Sequence, residues 1–125
     1  MKNAFLKLLV LISATALTAF NSDDKIEGFN SHEILVVQLD LEDNLPIEKI
    51  TLRSSYSLFT DSISRQEIGI KKSIKLKCPQ IGEGTFSICV FTDKDSICSK
   101  EDYIEGGYRP RLKLKNNKFE TIEWN

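Results

Sequence analysis

From residue 33 onward, apolar and polar residues alternate with a period of two, the pattern of strands that bury one face and wet the other. The clearest run is Glu33–Leu41, where Leu35, Val37, Leu39 and Leu41 alternate with Val36, Gln38 and Asp40. Glu42-Asp43-Asn44 and then Pro46 break it with turn chemistry. A second strand is predicted over Glu48–Ser54, with Ile50 and Leu52 inward, and Tyr56 and Leu58 carry the same parity onward. Between Gln66 and Cys78, Ile68, Ile70, Ile74, Leu76 and Cys78 keep one parity, so two short strands or one bent strand are expected there, ended by Pro79. Gly82-Glu83-Gly84 reads as a tight turn that pairs this segment with Thr85–Thr92 as a hairpin. In that next strand Phe86, Ile88 and Val90 point inward and Ser87 and Cys89 outward. The chain closes with Arg111–Lys115, an Asn116-Asn117 turn suited to positive φ, and a return strand from Lys118 to Trp124, whose indole is expected to cap the core.

About seven short strands at spacings of roughly 8–12 residues, with no helical period after the leader, predict an all-β fold. The expected architecture is a small sandwich, immunoglobulin-like or transthyretin-like, over residues 33–125. Residues 20–32 are polar, lack an apolar period and read as a flexible lead-in.

The first 19 residues break the pattern. Lys2 and Lys7 precede an uncharged run from Leu8 to Leu17, and Ala14, Ala16 and Ala19 offer small residues for cleavage. This matches a secretory signal peptide, with cleavage expected after Ala19. The apolar run to Phe20 is about thirteen residues, short of the roughly 20 that a membrane-spanning helix needs. No cysteine follows the small residues, so no lipoprotein attachment point is present there. The short leader, and the absence of any N-x-[ST] acceptor, fit a bacterial protein exported to the periplasm or beyond.

Export changes how charge and cysteine are read. Without residues 1–19 the chain keeps 15 basic against 18 acidic side chains. A mildly acidic domain lacks the electrostatic footprint of a nucleic-acid binder. Three cysteines bound for an oxidising compartment imply one disulfide and one leftover thiol. A two-residue Asp93-Lys94 turn places Cys89 opposite Cys98, the pairing expected here, with Cys78–Cys89 as its rival. Cys78 shares parity with Ile74 and Leu76 and is expected in the core, where a thiol behaves as a small hydrophobe.

Catalytic chemistry is sparse in the sequence. His32 is the sole histidine and lies in the lead-in, so no Ser–His or Cys–His pair has a base on a rigid element. Two acidic clusters, Asp40/Glu42/Asp43 and Asp93/Asp95/Glu101/Asp102, miss the spacing of a calcium loop and read as solvated turns. No cofactor, no metal and no enzymatic activity are expected. The sharpest surface signal is basic: Arg109, Arg111, Lys113 and Lys115 alternate, Tyr108 lies beside them, and Lys118, Lys75 and Lys77 can join the same face. Such a stripe suits an anionic partner or guards a sheet edge with lysine.

The expectation is therefore an exported, non-enzymatic protein that binds a protein or envelope component through Tyr108, Arg109, Arg111 and Lys113. A periplasmic inhibitor or immunity protein is the alternative, and it calls for a protruding loop at Asp93–Ser96 or Tyr103–Tyr108. A structural subunit would show an open sheet edge, and a carbohydrate-binding module an exposed aromatic platform. The sequence itself shows no aromatic cluster.

Overall fold

The computed structural model describes residues 24–42, 44–56 and 60–123. The leader, Leu58 and Trp124 lie outside the described residues. Among the described residues there are nine strands: β1 (Ile34–Leu41), β2 (Ile47–Ser54), β3 (Thr60–Ser64), β4 (Ser73–Pro79), β5 (Glu83–Thr92), β6 (Ser96–Cys98), β7 (Asp102–Glu105), β8 (Arg111–Lys115) and β9 (Lys118–Glu123). One helical turn, α1 (Arg65–Ile68), interrupts them. The strands form two sheets packed as a sandwich. The first has the order β4-β1-β8-β9, with β1 and β8 parallel and the other pairs antiparallel. The second runs β3-β2-β5, and the far edge of β5 is shared by β6 and β7.

Alternation decides which face goes inside. Leu35, Val37 and Leu39 on β1 lie opposite Cys78, Leu76 and Ile74 on β4, and Leu39 and Leu41 lie opposite Leu112 and Leu114 on β8. Across the core, Ile50 and Leu52 pair with Val90 and Ile88. All of these belong to one buried cluster, together with Phe86 and Ile104. Fully burying one such side chain is worth about 1.5–3 kcal/mol, so this inter-sheet layer dominates the energetics. Ile34 and Val36 are also buried, but their parity is opposite and they lie outside that cluster. They face the side along which residues 24–33 run, held by Lys75 Nζ on Asp24, Lys77 Nζ on the Lys25 carbonyl and Arg109 on the Ser31 carbonyl.

Several local expectations match the structure. Asn116 and Asn117 take φ of 53° and 61°, the positive pair a two-residue turn requires. Cys89 lies directly opposite Cys98 and the two are disulfide-bonded, while Cys78 is free and buried.

Three expectations are corrected. First, Gln66–Ile70 is not a strand: Ser64 and Glu67 open a helical turn, the Ser64 backbone N–H donating to the Glu67 carboxylate at 3.3 Å, and Gly69 closes it at φ 55°. That Ser-x-x-Glu spacing is a helix-start signal, and it outweighs two isoleucines of equal parity. Only Ile68 turns inward, and Ile70 is 98% exposed. Second, β4 and β5 are not a hairpin. Pro79 still pairs with Ile34 in the first sheet, and Gln80 and Ile81 carry the chain across to the second. Gln80 is wholly buried at the crossing, its N–H bonded to the Glu33 carbonyl at 2.8 Å. Parity alone cannot tell a hairpin from such an arch, because both keep the apolar face inward. Third, the polar strand β3 was not foreseen, and β6 and β7 are separate pieces, which takes the count from about seven to nine.

The crossing is sterically tight. A Cβ added at Gly106 would collide with the carbonyl oxygens of Gln80 and His32, so the backbone between β7 and β8 packs directly on that of the arch.

Burial raises the Cys78 thiol to about 11, an effect to which the nearby Asp61 charge adds and which a hydrogen bond with Ser54 partly offsets. A neutral, buried thiol is inert. The folded protein is therefore expected to show no thiol reactive towards a water-soluble disulfide reagent at pH 8, and one per chain after denaturation without reductant. A thiol that reacts in the folded state would contradict this placement.

Candidate binding surfaces

Of the expected basic residues, Arg111, Lys113, Lys115, Lys75 and Lys77 lie on one surface, the outer face of the β4-β1-β8-β9 sheet, while Arg109 does not. Arg111, Lys113 and Lys115 share one side of β8, Gln38 and Asp40 lie on β1 beside them, and Lys75 and Lys77 on β4 beyond. The stripe is not uniformly positive. Arg111 grips Asp40 through Nε at 3.0 Å and Nη2 at 2.8 Å. Lys113 and Lys115 approach Glu42 at 3.4 and 3.8 Å, and Lys75 approaches Asp24 at 3.5 Å. Acids thus interleave with the bases and cancel most of the field a distant anion would feel. Exposed pairs of this kind contribute about 1 kcal/mol or less each.

Arg109 stands apart from the stripe. Its guanidinium donates to three backbone carbonyls, those of Ile34 at 2.7 Å, Tyr108 at 3.0 Å and Ser31 at 3.1 Å, and so ties residues 31–34 to the loop before β8. Tyr108 is partly buried and packs against the core cluster. Gly107, at φ 90°, makes the bend that leads into it.

Along the side of the sandwich, a groove of about 520 Å³ runs between β3 and β4. There the Asp61 carboxylate accepts a hydrogen bond from the Lys77 backbone N–H at 2.7 Å. A carboxylate seated on an edge N–H, with Lys71, Lys75 and Lys77 around it, blocks strand addition. The two loops named for an inhibitor are short and held. Asp93 and Lys94 form a tight turn closed by Thr92 N–H on the Asp95 carbonyl, and the Tyr103–Tyr108 segment is pinned to Gly82 and Ile34.

The outer face of the second sheet is different in kind. Thr85, Ser87, Cys89 and Phe91 project from β5, with Thr51 and Arg53 beside them on β2. At one end lies a depression of about 510 Å³ whose lining includes Arg53, Ser55, Tyr56, Thr85, Ser87 and Glu101. Its walls are held by backbone bonds. Ser55 N–H donates to the Thr85 carbonyl at 2.9 Å, and Thr85 N–H to Ser55 Oγ at 2.8 Å, which fixes the bend bearing Tyr56. Ser99 bonds Ile88 through both its N–H and its Oγ, which holds the Lys100-Glu101 step next to β5. Tyr56 is 40% and Tyr103 51% exposed, and Tyr103 lies opposite Thr85 in the ladder. A hydrogen bond to Glu105 raises the Tyr103 phenol well above its ordinary value, so it stays protonated. At the far end Lys49 Nζ stacks 4.9 Å over Phe91, and the disulfide lies between the two ends.

Sequence reading missed this second surface because its aromatics come from distant segments. Tyr56 follows β2 and Tyr103 is on β7, and only pairing through β5 brings them to one end. Among the described residues, no three His, Cys, Asp or Glu side chains converge as metal ligands. No described helix is long and apolar enough to cross a membrane.

The best-engaged acid on either face is Asp40. Burial raises its pKa, but hydrogen bonds from Arg111, Ser73 and Gln38 and the Arg111 charge outweigh that and hold it below 3.8. A depressed folded-state pKa stabilises above the unfolded value, and the contribution disappears as pH falls through the folded one. Asp40→Asn is therefore expected to be about 1 kcal/mol less stable at pH 7, with the gap to wild type narrowing as pH drops below 3.8. Urea melts at pH 7, 4 and 2.5 check this; a gap that stays constant or widens in acid contradicts it.

A scan against protein-family models finds no match, and a sequence search of curated proteins finds none either. Among solved structures, one described as a "putative cell adhesion protein" from Bacteroides ovatus ATCC 8483 is similar, at TM-score 0.47 and 8% identity. The match covers 74% of this chain and 44% of that one, so this chain spans less than half of its neighbour's length.

Proposed function

We propose that this protein is an exported, non-enzymatic binding module of the bacterial cell envelope, and that it recognises its partner through the outer face of the second sheet rather than through the basic face. Export is supported by the leader pattern over residues 1–19 and by the Cys89–Cys98 disulfide, a bond that persists in oxidising compartments. The observation that carries the choice of face is the contrast in side-chain engagement. Arg111, Lys113, Lys115 and Lys75 on the first sheet are held by Asp40, Glu42 and Asp24. Around the depression, Arg53 and Glu101 take part in no ion pair among the described residues, and two tyrosines stand exposed beside them. Tyrosine and arginine are the residue types on which recognition energy concentrates. The inhibitor reading draws less support, because the Asp93–Ser96 loop is a tight turn and the Tyr103–Tyr108 loop is pinned by backbone hydrogen bonds to Gly82 and Ile34.

Hydroxyl-radical footprinting of the disulfide-intact protein, with and without a cell-envelope fraction, tests the choice of face. Tyr56 and Tyr103 are expected to lose reactivity while Ile70 and Ile122, exposed elsewhere, keep theirs. Unchanged tyrosines, or protection confined to β8 and β9, would overturn the assignment.

A further inference from the structure

Building on that recognition face, we infer that the depression at Arg53, Tyr56, Ser87 and Glu101 is a subsite for a neutral saccharide. The argument starts from the chemistry of the lining. Sugar hydroxyls are donors and acceptors at once, so a site for them needs both kinds of partner at short range. Arg53 supplies a fork of donors, Glu101 two acceptor oxygens, and Ser55, Thr85 and Ser87 hydroxyls that serve either way. A sugar ring also has an apolar C–H face, for which an exposed phenol ring is the usual complement. Tyr56 provides one at the rim and Tyr103 a second. β7 and β2 flank β5 on opposite edges, so Tyr103 and the bend after β2 that bears Tyr56 lie on opposite sides of β5. That arrangement leaves room for a chain of sugars to lie across the face.

Charge selects the neutral class. Arg53 is the one base among the described lining residues, with Glu101 in the same lining, and Glu83 and Glu105 lie opposite each other where β5 and β7 pair beside it. An anionic glycan would meet that acidic border, and an uncharged one would not. Geometry weighs against a peptide. The floor of the depression is paired backbone of β2 and β5, so no open edge is offered for strand addition. A volume of about 510 Å³ falls within the range of small-ligand sites. Because strands and the disulfide hold the lining, little ordering is required on binding.

The test is affinity electrophoresis of the oxidised protein in native gels containing a β-glucan, a mannan or a xylan, with polygalacturonate as the anionic comparator. Titration calorimetry follows, with oligosaccharides of whichever polymer retards the protein. At least one neutral polymer is expected to retard it, and polygalacturonate to do so less. Tyr56→Ala should weaken binding by about tenfold, as loss of a stacked ring does, Tyr56→Phe should stay within about twofold, and Lys113→Ala should match wild type. Tyr56 is exposed, so its variants are expected to keep the wild-type melting temperature, which is measured alongside. No retardation by any neutral polymer, preference for polygalacturonate, or wild-type affinity in Tyr56→Ala would each overturn the inference. Protection of Tyr56 by the envelope fraction without glycan binding would sink the saccharide and leave the recognition face standing. Failure of both would remove both.

Discussion

Everything described here depends on two apolar sheet faces closing on each other. Neither sheet is stable with its inner face wet, and the residues that close the layer come from both sheets: Leu35, Val37 and Leu39 from β1, Leu76 from β4, Leu112 and Leu114 from β8, against Ile50, Leu52, Phe86, Ile88 and Val90 from β2 and β5. Strand alternation then leaves no choice about the remaining side chains, which must project from two outer faces. The disulfide and the ion pairs decorate a layer that apolar burial has already assembled. Cys89–Cys98 spans nine residues of one hairpin, and a loop that short restricts the unfolded chain only modestly.

The two outer faces resolve the same requirement in opposite ways. On the first sheet, bases and acids pair with one another, Arg109 is absorbed by backbone carbonyls, and the side edge carries a carboxylate on the Lys77 N–H. These devices pair charge with charge and block the side edge against strand addition. On the second sheet, Arg53 and Glu101 at the Tyr56 end take part in no ion pair among the described residues, and that contrast carries the proposed recognition face. The long strand β5 makes this possible, because it offers one edge to β2 and the other to both β6 and β7.

Much of the fold was legible in the sequence, and the reasons for success and failure are physical. The parity of Leu35–Leu41, of Ile50–Leu52 and of Phe86–Val90 named the inward residues, because a half-buried strand tolerates no other order. Asn116-Asn117 named its turn, and a two-residue turn at Asp93-Lys94 set Cys89 against Cys98. The Ser64–Glu67 helical turn was also written in the chain, as a capping pattern that a count of apolar parity overlooked. The arch at Gln80 was not legible, since crossing between sheets and turning within one leave the same alternation. The surfaces were the least accessible. A run of alternating bases is visible in one dimension, while its neutralisation by Asp24, Asp40 and Glu42 depends on strand order. The depression joins residues from three separate segments, and no local pattern marks it.

Equilibrium urea unfolding of Phe86→Ala, set against wild type with its disulfide reduced, weighs the central claim most directly. If the inter-sheet layer is the foundation, truncating Phe86 costs about 3–5 kcal/mol, reduction costs roughly 2–3 kcal/mol, and the reduced protein remains a cooperatively folded sandwich. A reduced protein that unfolds outright, beside a Phe86→Ala variant of near-wild-type stability, would show that the crosslink and not the buried layer holds the molecule together.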